Sequence, residues 1–213
     1  MIRPILVVTA VAAERDAVLA GLPSGHPGIT VIAAGVGPAA AAAGTARALA
    51  LAEASGHPYR TVISAGVAGG FPGRAAVGAT VLASRSRQAD LGADSPDGFL
   101  PLERLGLGSA AVAADPVVLA ALRVALPDAI TGEVLTVATV TGTAERAAAL
   151  ASAHPAAVAE AMEGYGVACA AAAAGTAFGE LRIISNPIGP RDRSAWRLTE
   201  ALAGLTTAAA AAL

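Results

Sequence analysis

The stretch AEAMEGYGVACAAAAAG, residues 159–175, decides how this chain is read. Its opening residues finish an apolar run, AAVAEAM (156–162), with the length of a strand. The alanines that follow predict a helix over 163–175, because alanine has the highest helix propensity. Met162 and Glu163 stand at the junction. A carboxylate buried without a partner costs several kcal/mol or is driven neutral. No basic residue lies near Glu163 in the sequence, so an acid at the end of an apolar strand points to use rather than to packing.

Outward from that junction, the same grammar repeats. Short apolar runs predict strands at PILVVTA (4–10), ITVIAAG (29–35), RTVISAG (60–66), ATVLAS (79–84), GEVLTVAT (132–139) and ELRIIS (180–185), in addition to 156–162. Between them, alanine-rich runs predict helices over 13–21, 38–55, 115–126, 143–151 and 193–212. Strands feeding crossover helices make an α/β fold with a mainly parallel sheet. Gly, Pro and Asp gather at the expected turns GHPG (25–28), GHPY (56–59) and NPIGPRD (186–192). The longest irregular piece is 89–108, and a long loop inside a compact domain is often functional.

Composition narrows the function. The chain has 213 residues, 55% of them apolar, enough for one domain spanning 1–213 with a full core. Its net charge of -2 and scattered charges offer no basic face for nucleic acid or an acidic membrane surface. All 14 basic residues are arginine, which excludes Schiff-base lysine chemistry and a P-loop lysine. The single cysteine, Cys169, allows no disulfide framework or Cys-rich zinc site. His26, His57 and His154 each adjoin Pro or Gly in turn-like sequence. No metal and no cofactor is therefore expected, and a reducing cytoplasm is the natural setting. The opening MIRPILVVTAVAAERD reads as a first strand rather than a secretory signal, because charge follows its short apolar segment at once. No apolar run reaches the roughly 20 residues of a membrane span.

In open α/β sheets, ligands bind past the carboxyl ends of strands. Four places qualify: Glu14 after the first strand, a glycine turn of Gly66, Gly69 and Gly70 after the third, Met162 and Glu163 after the sixth, and Ser185 and Asn186 after the seventh. Each has a purely structural alternative. Glu14 can complement a helix dipole, the glycines can simply turn the chain, and Asn186 before Pro187 is a common turn residue. Phe71 can wall a ligand or fill the core.

The segments AVAAERDAV, AAGVGPAAAAAG, VISAGVAGGF, EAMEGYGVACAA and IISNPIGPRD occur in the order seen in the nucleoside phosphorylase and nucleosidase family. The resemblance covers nearly the whole chain. It implies a three-layer α/β/α domain with a mixed, mainly parallel central sheet. With ADLGADSPDGF, SNPIGPRD and Trp196, the chain looks most like the branch that cleaves hypoxanthine from futalosine in menaquinone synthesis. By that resemblance Glu14 activates water, Glu163 binds ribose hydroxyls beside Met162, and Gly66, Val67 and Ala68 lie where relatives bind phosphate. Val67 stands where many relatives have serine, which favours water over phosphate as nucleophile. Asn186 stands where adenine-releasing relatives have an aspartate; its amide can donate and accept, suiting the N7 and O6 of a 6-oxopurine. Val140 and Thr141 resemble base contacts. Asp192 is a candidate for the leaving-group proton, or a solvated loop acid paired with Arg191 or Arg193. Arg74, Arg191 and Arg193 are candidates for a substrate carboxylate. The resemblance also implies a homodimer or larger homo-oligomer. The rivals are a methylthioadenosine-type nucleosidase, a purine nucleoside phosphorylase and a non-catalytic nucleoside-binding module.

Overall fold

The computed structural model describes residues 4–23 and 26–213. In chain order the elements are β1 (Ile5–Thr9), α1 (Ala12–Gly21), β2 (Ile29–Ala33), α2 (Pro38–Ala54), β3 (Thr61–Gly70) and β4 (Thr80–Gln88). After these come β5 (Gly92–Ala93), β6 (Leu100–Pro101), α3 (Leu102–Leu105), β7 (Ala111–Ala113), α4 (Pro116–Ala125) and β8 (Ile130–Thr136). The chain closes with α5 (Ala144–Ala153), β9 (Ala157–Ala161), α6 (Gly164–Ala173), β10 (Ala177–Pro187), a 3₁₀ turn (Arg193–Ala195) and α7 (Leu198–Ala212).

The strand alternation sorts the core into two layers of helices around a sheet. Along β1, Val7 faces a cluster with Val18 of α1, Leu122 of α4 and Leu205 of α7, while Leu6 and Val8 face Ala41 and Leu49 of α2 and Val167 of α6. With few aromatics, packing falls to aliphatic side chains and to alanines that let helices approach closely.

The sheet runs β10-β4-β8-β9-β3-β1-β2, and β10 also pairs with β3. Strands β3, β10, β4, β8 and β9 therefore close on themselves like a small barrel, with β1 and β2 carried outside it. The pairs β1/β2, β1/β3, β3/β10, β4/β8 and β8/β9 are parallel. The pairs β4/β10, β3/β9 and β4/β7 are antiparallel. The sheet is thus mixed and mainly parallel.

Strand β3 holds the feature that positions the site. One edge pairs with β10 along its whole length. The other edge pairs with β1 over Thr61–Ser64 and meets β9 only at Gly69 and Gly70. Between those partners the edge of β3 is split open at 65–68.

Several expectations change. The glycines Gly66, Gly69 and Gly70 do not form a turn after the third strand; they lie inside β3, which pairing with β10 carries through to Gly70. Asn186 and Pro187 likewise belong to β10 rather than to a turn after it, with a register shift beside Ser185. The expected helix over 193–212 breaks into the 3₁₀ turn and α7. The irregular stretch 89–108 contains the hairpin β5/β6 and the short α3. The GHPG turn begins at Gly25, which lies outside the described residues. Among the described residues, no helix is long and apolar enough to cross a membrane.

Candidate active site

The split edge of β3 is where Glu14 arrives. Glu14 sits in the first turn of α1 and is buried. Its Oε2 accepts the N–H groups of Ala10 (2.9 Å) and Val11 (3.3 Å), donors that a helix start leaves unpaired. Its Oε1 crosses to accept the N–H of Val67 at 2.9 Å, on the stretch of β3 that neither β1 nor β9 covers. The carboxylate is thereby fixed by backbone donors alone.

Glu163 approaches from the other side of the split, as the residue that caps α6 just after β9. Its Oε1 accepts the N–H of Gly37 (3.2 Å) at the start of α2, and its Oε2 accepts that of Met162 (3.3 Å). The sequence suggested no basic partner; the structure supplies one. Arg182 on β10 is buried, and its Nη1 stands 3.7 Å from Glu163 Oε2. Arg182 is held in turn by Glu180 Oε1, at 2.9 Å from its Nε, and by donation from Nη2 to Ser64 Oγ at 2.9 Å. Glu180 is further bound by Ser86 Oγ.

Glycine at 66 makes this convergence possible. A Cβ there would come within 2.5 Å of Glu14 Oε1 and 2.8 Å of Arg182 Nη1, so both groups occupy the room a side chain would take. Electrostatics show the same closeness. Burial pushes the Glu163 carboxyl above its usual range; Arg182 and the two backbone N–H groups pull it back, and Glu14 adds repulsion. For Arg182, burial opposes the charge, but Glu180, Glu163 and Glu14 outweigh it and raise the guanidinium above its ordinary value. Two acids distant in sequence thus share one permanent cation. Such an arrangement can hold a hydroxylated ring, take a proton from water and favour a developing positive charge.

A second group lies further along β3. A cleft there is lined by Gly69, Val140, Thr141, Glu160, Asn186 and Trp196, among others. Asn186 accepts from Ser185 Oγ at its Oδ1 (2.8 Å) and donates from Nδ2 to Pro187 O (3.0 Å). Ser185 Oγ also reaches Ala68 O at 3.3 Å, which joins this cleft to the split. Glu160 on β9 is buried and takes both donors of Thr141, the backbone N–H at Oε1 (2.8 Å) and the hydroxyl at Oε2 (2.6 Å). Burial pushes the Glu160 carboxyl upward, against the pull of those two hydrogen bonds and of Arg146.

The structure therefore gathers Glu14, Gly66, Val67, Met162 and Glu163 at one end, and Val140, Thr141 and Asn186 at the other, with Ala68 between. It does not gather Phe71, which is 1% exposed and packs with Leu135, Val137 and Ile188: of the two readings, Phe71 is core. Arg74 lies over the Phe71 ring and donates to the carbonyls of Ala151, His154 and Ala157, leaving its guanidinium committed. Asp192 is exposed and accepts from Ser194 N (2.9 Å) and Ser194 Oγ (2.6 Å), not from an arginine. Those bonds pull its carboxyl below the usual range, the wrong direction for a proton donor. Arg191 lines the cleft and lies 5.5 Å from the Trp196 ring.

Two site residues, Arg182 and Glu160, escaped the sequence reading. Both carried a signal, a charged residue inside an apolar strand. Alternation alone, however, sets Glu180 and Arg182 on a polar face opposite Leu181 and Ile183, and only the structure shows that face to be buried. Glu160 shares its face of β9 with Val158, and Glu180 and Arg182 share one face of β10.

Comparisons with known proteins identify the family. The sequence profile of the Phosphorylase superfamily matches residues 14–213. The chain is 52% identical over 219 residues to futalosine hydrolase of Streptomyces coelicolor, covering 96% of this chain and 92% of that one. It is 49% identical over 222 residues to futalosine hydrolase of Acidothermus cellulolyticus, covering 97% and 88% respectively. In fold it resembles 5'-methylthioadenosine/S-adenosylhomocysteine nucleosidase from Neisseria meningitidis in complex with methylthio-immucillin-A, with a TM-score of 0.81, 19% identity and coverage of 98% and 97%. The chain belongs to the phosphorylase superfamily.

Proposed function

We propose that this chain is a metal-independent hydrolase that cleaves the N-glycosidic bond of futalosine, releasing hypoxanthine and dehypoxanthine futalosine in menaquinone biosynthesis. The observation that carries the reading is the convergence of Glu14 and Glu163 on Arg182 at the split edge of β3. The identity to two futalosine hydrolases over nearly the full chain supports the choice of nucleoside.

Glu163, kept anionic by Arg182, holds the ribose hydroxyls while Met162 lines the sugar. As the bond from the anomeric carbon to the base lengthens, the sugar becomes cationic and the anion beneath it is worth more than in the ground state. Glu14 takes a proton from the water that adds to the anomeric carbon. The electron pair of the broken bond leaves with the base, which is protonated by solvent. Val67 offers no hydroxyl to a phosphate, so water is the nucleophile. Asn186 meets N7 and O6 of hypoxanthine, Val140 and Thr141 flank the ring, and Arg191 is the candidate for the distal carboxylate of the substrate.

The chain acts as one domain over 1–213, in the cytoplasm and as a homodimer or larger homo-oligomer. The exposed apolar cleft formed by Pro38, Ala39, Ala42, Leu91 and Tyr165 is a face for the second copy.

The test is product analysis with futalosine in phosphate-free buffer containing ¹⁸O water. Hypoxanthine should appear with one heavy oxygen at the anomeric carbon of the sugar product. Dependence on phosphate with a sugar 1-phosphate product, or faster release of adenine from methylthioadenosine, would overturn it.

A further inference from the structure

Resting on the reading of this site as a nucleosidase for a 6-oxopurine, we propose that Glu160 is a specificity-determining residue whose carboxylate accepts the N1–H of the base. None of the roles assigned above uses this acid, although it is nine-tenths buried and lines the cleft.

The sheet register sets the distance. Gly69 of β3 is paired with Glu160 of β9 on one side and with Asn186 of β10 on the other, so three residues stand abreast across three strands. Neighbouring strands lie about 4.8 Å apart, which puts the Cα atoms of Glu160 and Asn186 roughly 10 Å from each other. Residues in register point to the same face, and their side chains approach from the two ends of that span. A purine fits between them, with its N7 edge at Asn186 and its N1 edge at Glu160. The central glycine lets the outer residues close in: a Cβ on Gly69 would stand 2.9 Å from Ile188 Cγ1 and 3.4 Å from Asn186 Nδ2. Ile188, which also lines the cleft, gives the ring an apolar wall.

Hydrogen-bond polarity sets the choice of base. An ionised carboxylate has about four acceptor positions and no donor. Thr141 fills one position on each oxygen with its N–H and its hydroxyl. The carboxylate can therefore offer the cleft only further acceptors. At the same time the Thr141 N–H, a donor that could have met a bare ring nitrogen, is consumed. Hypoxanthine presents N1–H to this edge and is matched. Adenine presents a lone pair at N1 and is repelled. Asn186 cannot make this distinction alone, because its amide both donates and accepts.

Glu160→Gln tests the assignment. Its carbonyl would take the Thr141 N–H, turning an NH2 group toward the cleft. The kcat/KM for futalosine should fall about 10- to 100-fold, and the preference for futalosine over its 6-amino analogue should fall further, since the analogue gains a donor at N1. Circular dichroism checks that the variant is folded. Independently of any variant, hypoxanthine should inhibit the unmodified enzyme at least about tenfold more tightly than 6-methoxypurine, which keeps an oxygen at C6 but has a bare N1. Equal inhibition by the two bases, or an unchanged 6-oxo to 6-amino ratio in a folded Glu160→Gln protein, overturns the role of Glu160. Failure of the unmodified protein to release hypoxanthine from futalosine overturns instead the reading on which it rests.

Discussion

Glu160 and Glu163 lie three residues apart, both buried and both pushed upward in pKa by that burial, yet the structure treats them in opposite ways. Glu163 faces the full charge of Arg182 and has only long contacts to backbone N–H groups. Glu160 makes two short hydrogen bonds to a single threonine and no salt bridge within 4.0 Å among the described residues. The difference separates two uses of one residue type. An anion that must stabilise a passing positive charge is kept ionised by a permanent cation and left with acceptor capacity free. An anion that reads a neutral donor must stay ionised, since a protonated carboxyl would itself donate, and the two bonds from Thr141 favour that charge and fix its direction. On the proposed reading, the sugar end of the site is electrostatic, and the base end is a pattern of donors and acceptors.

The strongest way to break this division is to remove charge at the sugar end. Glu14→Gln should lower kcat by about 10² to 10⁴, the range of general base catalysis, while changing affinity for a bound nucleoside little. A glutamine cannot accept at both ends, so it leaves an N–H of Val67, Ala10 or Val11 facing its NH2 group. Thermal unfolding measured beside the kinetics separates that structural cost from lost chemistry. A folded Glu14→Gln protein with unchanged turnover would remove the sugar end from the reaction.

Arg182 sharpens the comparison, because it serves one acid and not the other. Arg182→Met should lower kcat/KM by about 10- to 100-fold by leaving Glu163 and Glu180 buried without their cation. The pH dependence carries the diagnosis. Burial already raises the Glu163 carboxyl and Arg182 is the largest force lowering it, so losing the guanidinium raises it further. Activity needing ionised Glu163 is present above its pKa and lost as pH falls through it, so the acidic limb of the rate profile must move to higher pH. A limb that stays in place, measured on folded protein, would mean that the cation does not hold the charge of Glu163.

Much of the fold was legible in the sequence because strands and helices here are marked by strong local signals. The run 29–35 and the alanine tracts after 38 and 163 needed no tertiary help to be read. Glu14 and Glu163 could be singled out because each stands where an apolar run stops. The chain extends past the apparent ends of its third and seventh strands for a reason outside local sequence: β3 and β10 pair through Gly70 and Pro187. A glycine cluster looks like a turn until a partner strand is known to lie beside it. Arg182 and Glu160 were hidden for a related reason. A charge inside a strand becomes meaningful once its face is known to be inward, and the closure of β10 onto β3 is what makes those faces inward.

The smallest expected effect tests whether proton transfer has any place at the base end. Asp192 follows the NPIGPR segment and would be the nearest loop acid to a leaving base if it turned inward. Its Oδ1 instead accepts both the N–H and the hydroxyl of Ser194 and caps the 3₁₀ turn. Both bonds favour its ionised form, and a carboxyl held below its usual range has already lost its proton near neutral pH and has none to give the base. Asp192→Asn keeps an acceptor oxygen for Ser194 and removes the charge together with any ability to give a proton. Turnover of futalosine should then change by less than about threefold, where the loss of a true general acid would cost about 10² or more. A drop of that larger size would move acid chemistry to the base end and erase the division between its two carboxylates. A near-unchanged rate leaves hypoxanthine departing on the strength of its own hydrogen bonds, with solvent supplying the proton after the bond has broken.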